Sequence, residues 1–280
     1  MKKAKEIKEI STRIKRDVIQ LTSANTGHPG GAIGAADIIA ELYFNRMRHN
    51  PMNPDWEGRD RFVLSNGHIC VALYSAMARS GYFDLEELHS FRKINSRLQG
   101  HPSRKDLPGL ETSSGPLGQG LSIANGMALA NRLKNNDAKV YCFVGDGEIQ
   151  EGQIWEAAMT SAHYQLDQLA LIISWNDIQI EGHVKDVMNI EPITDKFKSF
   201  GWKTIEIDGH NIEEIKSAFD AFEQHKGAPT AIIAKTVIGK GVSYMENLPI
   251  WHGKAPSKEE AKLALDEIGE SSFGKDLVFH

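Results

Sequence analysis

At 280 residues, with 41% hydrophobic and 25% charged side chains, the chain has the composition of a globular protein able to bury a sizeable core. A formal charge of −5 without any basic stripe excludes a surface built to displace counterions from a nucleic acid. With no apolar stretch of membrane-spanning length and no apolar core of a secretion signal, the expectation is a cytoplasmic protein bound to neither membrane nor nucleic acid.

In chain order, Ile7, Ile10, Ile14, Val18 and Leu21 recur every three or four residues. They predict an amphipathic helix ending before Asn25-Thr26-Gly27, which leaves His28 in a loop. Lys2, Lys3, Lys5 and Lys8 interleave with Glu6 and Glu9 and read as a solvated helix face. Residues 35–43 read as a second helix, and Asn50-Pro51-Met52-Asn53-Pro54 then breaks the chain. A short buried strand is expected over 61–64 and a helix over 67–79, with His68 at their junction. Residues 91–114 are aperiodic and carry His101-Pro102, and the glycine-rich segment 115–120 opens a helix through 134. Strands follow at 139–144, 169–174, 203–207 and 229–235, separated by helices at 150–164, 192–200 and 211–225. This alternation predicts an α/β fold, a mostly parallel sheet covered by helices, with no internal repeat. One domain over 1–280 is expected, residues from about 240 forming a C-terminal extension. Cys70 and Cys142 lie in apolar surroundings and are expected to be reduced and buried, with a disulfide left open.

The chemistry concentrates at two strand ends. Gly145-Asp146-Gly147 closes the apolar run 140–144, and Asn176 closes the next run thirty residues after Asp146. A carboxylate and an amide then meet at one sheet edge. Mg²⁺ favours such oxygen ligands together with phosphate oxygens, and flanking glycines let the backbone approach closely. The rival dinucleotide fingerprint would need a third glycine where Gln150 stands, and Asp146 would repel a pyrophosphate unless a cation lay between them. An isolated Gly-Asp-Gly is often only a turn, a reading that the pairing with Asn176 disfavours. His28, His68, His101 and His252 each fall in a loop or junction, none at zinc-ligand spacing with another. By themselves Glu151 and Glu156 read as a solvated face near a helix N-terminus.

Six further segments keep the same order. They are Gly27-His28-Pro29-Gly30, residues 60–68, Gly100-His101-Pro102, residues 115–120, Glu151-Gly152 with Glu156-Ala157, and residues 235–241. Together with Gly145-Asp146-Gly147 and Asn176, they resemble transketolases over almost the whole chain, but only their N-terminal, diphosphate-binding half. The resemblance implies the thiamin diphosphate-binding fold of the PP type, with thiamin diphosphate and Mg²⁺ as cofactors and Ca²⁺ or Mn²⁺ as substitutes. It implies metal ligation by Asp146, Asn176 and the carbonyl of Ile178. It places Gly115, Leu117, Gly145, Gly147, His68 and His252 against the cofactor, with Ile180 near the thiazolium ring. His28 and His68 are then expected at the hydroxyl and carbonyl oxygens of the donor, His101 at the two-carbon unit, and His252 moving protons at the reacting oxygen. Glu151 and Glu156 are implied at a subunit contact, in a network linking two active sites.

The implied activity is transfer of a two-carbon ketol unit from a ketose phosphate to an aldose phosphate, as in the pentose phosphate pathway. A C-terminal transketolase subunit, with pyrimidine-binding and C-terminal domains, is the implied partner in an α2β2 heterotetramer. The glutamate that activates the cofactor lies in that half, so this chain alone is expected to be inactive. Three alternatives stay open: a deoxyxylulose-phosphate synthase-like enzyme, a ketol transferase for a sulfonated or branched ketose, and a non-catalytic cofactor-binding paralogue. Glu148 has no assigned role, and Trp175 stands where relatives often carry an acid.

Overall fold

The apolar runs assemble into a five-stranded, wholly parallel sheet in the computed structural model, which describes residues 1–279. Chain order gives α1 (Ala4–Asn25), α2 (Pro29–Glu41), β1 (Arg61–Leu64), α3 (Cys70–Ser80), α4 (Gln119–Leu133), β2 (Val140–Gly145) and α5 (Gly152–His163). Then come β3 (Leu169–Trp175), the short pair β4 (Ile178–Gln179) and β5 (Gly182–His183), α6 (Val184–Val187), α7 (Ile193–Ser199), β6 (Lys203–Asp208), α8 (Ile212–Gln224), β7 (Thr230–Lys235) and α9 (Lys258–Ile268). The sheet order is β1-β2-β3-β7-β6.

Burial on both faces explains why the inner strands β2, β3 and β7 are apolar almost throughout rather than alternating, whereas the edge strand β6 is only partly buried and carries Lys203, Glu206 and Asp208. Tyr141, Phe143, Ile172 and Ile232 enter one core with α1, α2, α3 and α8, while Cys142, Val144, Leu171 and Ile233 enter a second with α4, α5 and α7. Leu64 pairs with Phe143, Gly145 with Ser174, and Trp175 with Lys235, so the carboxyl ends of β1, β2, β3 and β7 share one edge. Ligands of open α/β sheets bind at that edge. Both cysteines are free and buried, as expected from their surroundings.

The structure departs from the sequence reading in several places. The second helix begins at Pro29 rather than at 35, so the loop expected to hold His28 is only residues 26–28, and His28 directly precedes the helix. Proline suits the first helical position, where its missing N–H would be unpaired anyway. The glycines that argue against helix serve close packing: a Cβ on Gly34 would lie 2.9 Å from the Val237 carbonyl oxygen. Lys8 is only partly a solvated residue, because its ammonium pairs with the fully buried Asp37, which also takes Lys15, Ser11 and His210. The β4–β5 hairpin, α6 and α9 are additions. Of these, α9 carried a legible signal, the reciprocal cap of Ser257 and Glu260. It packs on α1, where Arg13 and Arg16 both reach Asp276. Among the described residues, no helix is long and apolar enough to cross a membrane.

Candidate active site

A cavity of about 480 Å³ opens at the carboxyl edge of the sheet. Each strand end delivers one part of its wall. β1 runs into Asn66 and the tight turn Gly67–Ile69 that carries His68; β2 delivers Asp146; β3 delivers Asn176; and the segment after β7 brings His252 back in the turn Pro249–His252. His28 and His101 enter from the start of α2 and from the long loop before α4. Of the site residues expected from the sequence, all but Glu156 line this cavity.

Asp146 is 2% exposed and accepts three backbone N–H groups, from Gly147 at 2.8 Å, Asn176 at 2.9 Å and Asp177 at 2.5 Å. Burial nevertheless pushes its pKa up to about 7, against those donors. A desolvated carboxylate with no protein cation beside it is a natural seat for a metal ion. The Asn176 side chain accepts from Ile178 N at 2.9 Å, which folds the strand end into a tight turn. Asn66 Oδ1 and His28 Nδ1 are buried without hydrogen-bond partners, and both residues line the cavity. This donor set, flanked by Gly145 and Gly147, fits a divalent cation carrying a phosphorylated ligand.

Three histidines converge. Ring centroids lie 5.3 Å apart for His28 and His68, 5.9 Å for His28 and His252, and 5.1 Å for His68 and His252. Burial first, then the neighbouring His252, lowers the pKa of His28 to about 4 and that of His68 to about 3. Burial also lowers His252, opposed by Glu181, and lowers His101 together with the nearby Arg92. Near neutral pH the cluster therefore presents uncharged imidazoles that can donate and accept. Its proximity does not make a zinc site: among the described residues, no three His, Cys, Asp or Glu side chains are placed to hold a metal.

His101 lies against the glycine segment, where a Cβ on Gly115 would sit 3.6 Å from its ring. Leu117 and Ile180 face the cavity mouth, 37% and 72% exposed, while Ile178 is buried beneath. Glu151 stands at the rim, and Glu156 is exposed one turn further along α5. Sequence reasoning gave no role to Asn66, Glu148, Arg92 or Glu181. Asn66 lay inside a matching segment, but only its position marks it as a wall residue; the others depend on contacts across loops, which spacing does not reveal.

The family model for the transketolase thiamine diphosphate binding domain matches residues 5–273. The chain belongs to the transketolase family. It is 39% identical over 249 residues to the 6-deoxy-6-sulfo-D-fructose transketolase subunit of Clostridium sp. (strain MSTE9), covering 89% of this chain and 90% of that one. It is equally 39% identical over 256 residues to an apulose-4-phosphate transketolase subunit from Phocaeicola vulgatus, covering 91% of each. The transketolase structure from Leishmania mexicana superposes with a TM-score of 0.89 at 32% identity, covering all of this chain and 43% of the other. The chain thus spans under half of a long transketolase and nine-tenths of the transketolase subunits it resembles. The parallel α/β architecture is that of the thiamin diphosphate-binding fold.

Proposed function

We propose that this chain is the N-terminal subunit of a split transketolase, moving a two-carbon ketol unit from a ketose to an aldose with Mg²⁺ and thiamin diphosphate. The observation that carries the reading is the convergence of the buried Asp146, Asn176 and three clustered histidines at one sheet edge. The length match to chains named as transketolase subunits supports the split arrangement. In this reading the protein is one diphosphate-binding domain, with residues from about 240 forming an extension, and it works in the cytoplasm, in keeping with two free cysteines.

The residue roles belong to the same proposal. Asp146, Asn176 and the Ile178 carbonyl hold the metal, whose charge offsets that of Asp146 and of the diphosphate. Gly115, Leu117, Gly145, Gly147 and Ile180 shape the cofactor's bed. When bound, thiamin diphosphate would supply the nucleophilic chemistry by which a two-carbon piece leaves the ketose. His28, His68 and His101 orient the oxygens of that piece, and His252 moves a proton at the reacting oxygen. Their depressed pKa values keep them neutral, so they can act as both donors and acceptors without an added charge. Glu151, at the rim, and Glu156, exposed beyond it, meet another subunit in this reading, which their exposure supports.

The partner supplies the pyrimidine-binding and C-terminal domains, the activating glutamate and the reader of the sugar's far end, and two of each chain form α2β2. The donor's distal group remains the partner's choice, and the relatives named for a sulfonated ketose and for apulose 4-phosphate favour an unusual sugar as a second reading. Isothermal titration tests the metal assignment. The chain should bind Mg²⁺-thiamin diphosphate, and Asp146→Ala should abolish that binding; unchanged affinity would refute the role of Asp146.

A further inference from the structure

We propose that Glu148 is a positioning residue that clamps the glycine segment 115–120 to the Gly145-Asp146-Gly147 turn, and so sets the distance between the two ends of the cofactor's bed. The inference rests on the proposed function, which gives these segments to the aminopyrimidine and the diphosphate.

A second acid two residues beyond Asp146 is unexpected where an anionic diphosphate is to bind. A solvated surface residue would be the ordinary reading, yet Glu148 is 3% exposed. One carboxylate oxygen accepts from Ser65 Oγ and from Gly118 N at 2.9 Å, and the other from Gly145 N at 3.2 Å. Ser65 Oγ in turn accepts from Gly120 N at 2.9 Å, so the serine's single hydrogen is free to point at Glu148. Donors from three separate places, the Ser65 hydroxyl just past β1 and the backbone N–H groups of the glycine segment and of the end of β2, thereby converge on one side chain.

Sterics tell the same story independently. A Cβ on Gly120 would overlap Ser65, so only glycine lets the serine reach the segment. Gly118 is left-handed at φ +82, and a Cβ there would come 2.8 Å from Glu151 Cβ. Glycine-rich backbone has little shape of its own. Its placement against the metal turn must come from such contacts, and Glu148 with Ser65 holds both Gly118 and Gly120.

Two ligands separate positioning from general damage. Mg²⁺ with inorganic diphosphate engages only the metal turn, whereas Mg²⁺ with thiamin diphosphate engages both segments. Glu148→Gln keeps the size but turns one acceptor into a donor that faces another donor. By isothermal titration, Glu148→Gln should weaken thiamin diphosphate binding about tenfold or more, while diphosphate binding stays within about twofold. Ser65→Ala should act in the same direction, and the double variant should lose less than the product of the single effects. Hydrogen exchange of the unliganded chain gives a cofactor-free check: the Gly118 and Gly120 amides should exchange about tenfold faster in either variant, against an unchanged Gly147. Equal losses for both ligands, or unaltered exchange at Gly118 and Gly120, would overturn the clamp. If Glu148→Gln does not fold, Ser65→Ala carries both readouts. A wild-type chain that binds diphosphate but not thiamin diphosphate counts against the proposed function, and the exchange data then decide the clamp by themselves.

Discussion

At the scale of single residues, the chemistry follows from burial. His28 and His68 are held at about 4 and 3 by desolvation and by their neighbours, from an ordinary value of 6.5. Below pH 6.5 the unfolded chain takes up protons that the folded chain refuses. Stability from these groups is therefore complete above pH 6.5 and is lost as the pH falls toward 4 and 3. Urea midpoints should decline from pH 7 to pH 5 more steeply in wild type than in a His28→Gln, His68→Gln double variant. Parallel profiles would contradict the burial assigned to the pair. Asp146 and Asn176 were legible because their strand-end spacing has a chemical reading, and the four histidines because they sit in segments that resemble the family's. Glu148 was not legible. Its partners lie 83, 30 and 3 residues away, and no local pattern encodes three donors meeting across loops.

At the scale of elements, apolar runs bounded by glycine and polar residues located every strand of the parallel sheet to within a residue or so. For β2, β3 and β7 the reason is physical: strands buried on both faces cannot carry alternating polar positions, so their ends are sharp, while the partly exposed edge strand β6 shows through its isoleucines, Ile205 and Ile207. The start of α2 was misplaced because helix propensity penalises glycine, and tertiary packing overrode it. Gly34→Ala tests that explanation. The added methyl would meet the Val237 carbonyl oxygen at 2.9 Å, so despite alanine's better propensity the substitution should destabilise by about 1–3 kcal/mol. Thermal denaturation should show a lowered midpoint, and a raised one would mean that the glycine is kept for another reason. The β4–β5 hairpin escaped notice because two-residue strands are too short to show a period. It nevertheless carries Ile180 and Glu181 to the cavity wall.

At the scale of the whole molecule, the sheet order brings four strand ends to one edge and places every proposed metal and histidine group around a single cavity. In the proposed reading, that half-site supplies what holds a diphosphate and lacks the group that activates the cofactor. Leu117, Ile180, Leu248 and Ile250 stand exposed, Leu117 and Ile180 at the cavity mouth itself, as apolar surface suited to a covering partner. Catalysis by such a half-site needs a second chain. The decisive assay follows ketol transfer by the purified chain with Mg²⁺ and thiamin diphosphate, alone and after titration with a C-terminal transketolase subunit carrying pyrimidine-binding and C-terminal domains. No turnover is expected from the chain alone, and activity should rise to saturation at one partner per chain; turnover by the chain alone would contradict the split arrangement.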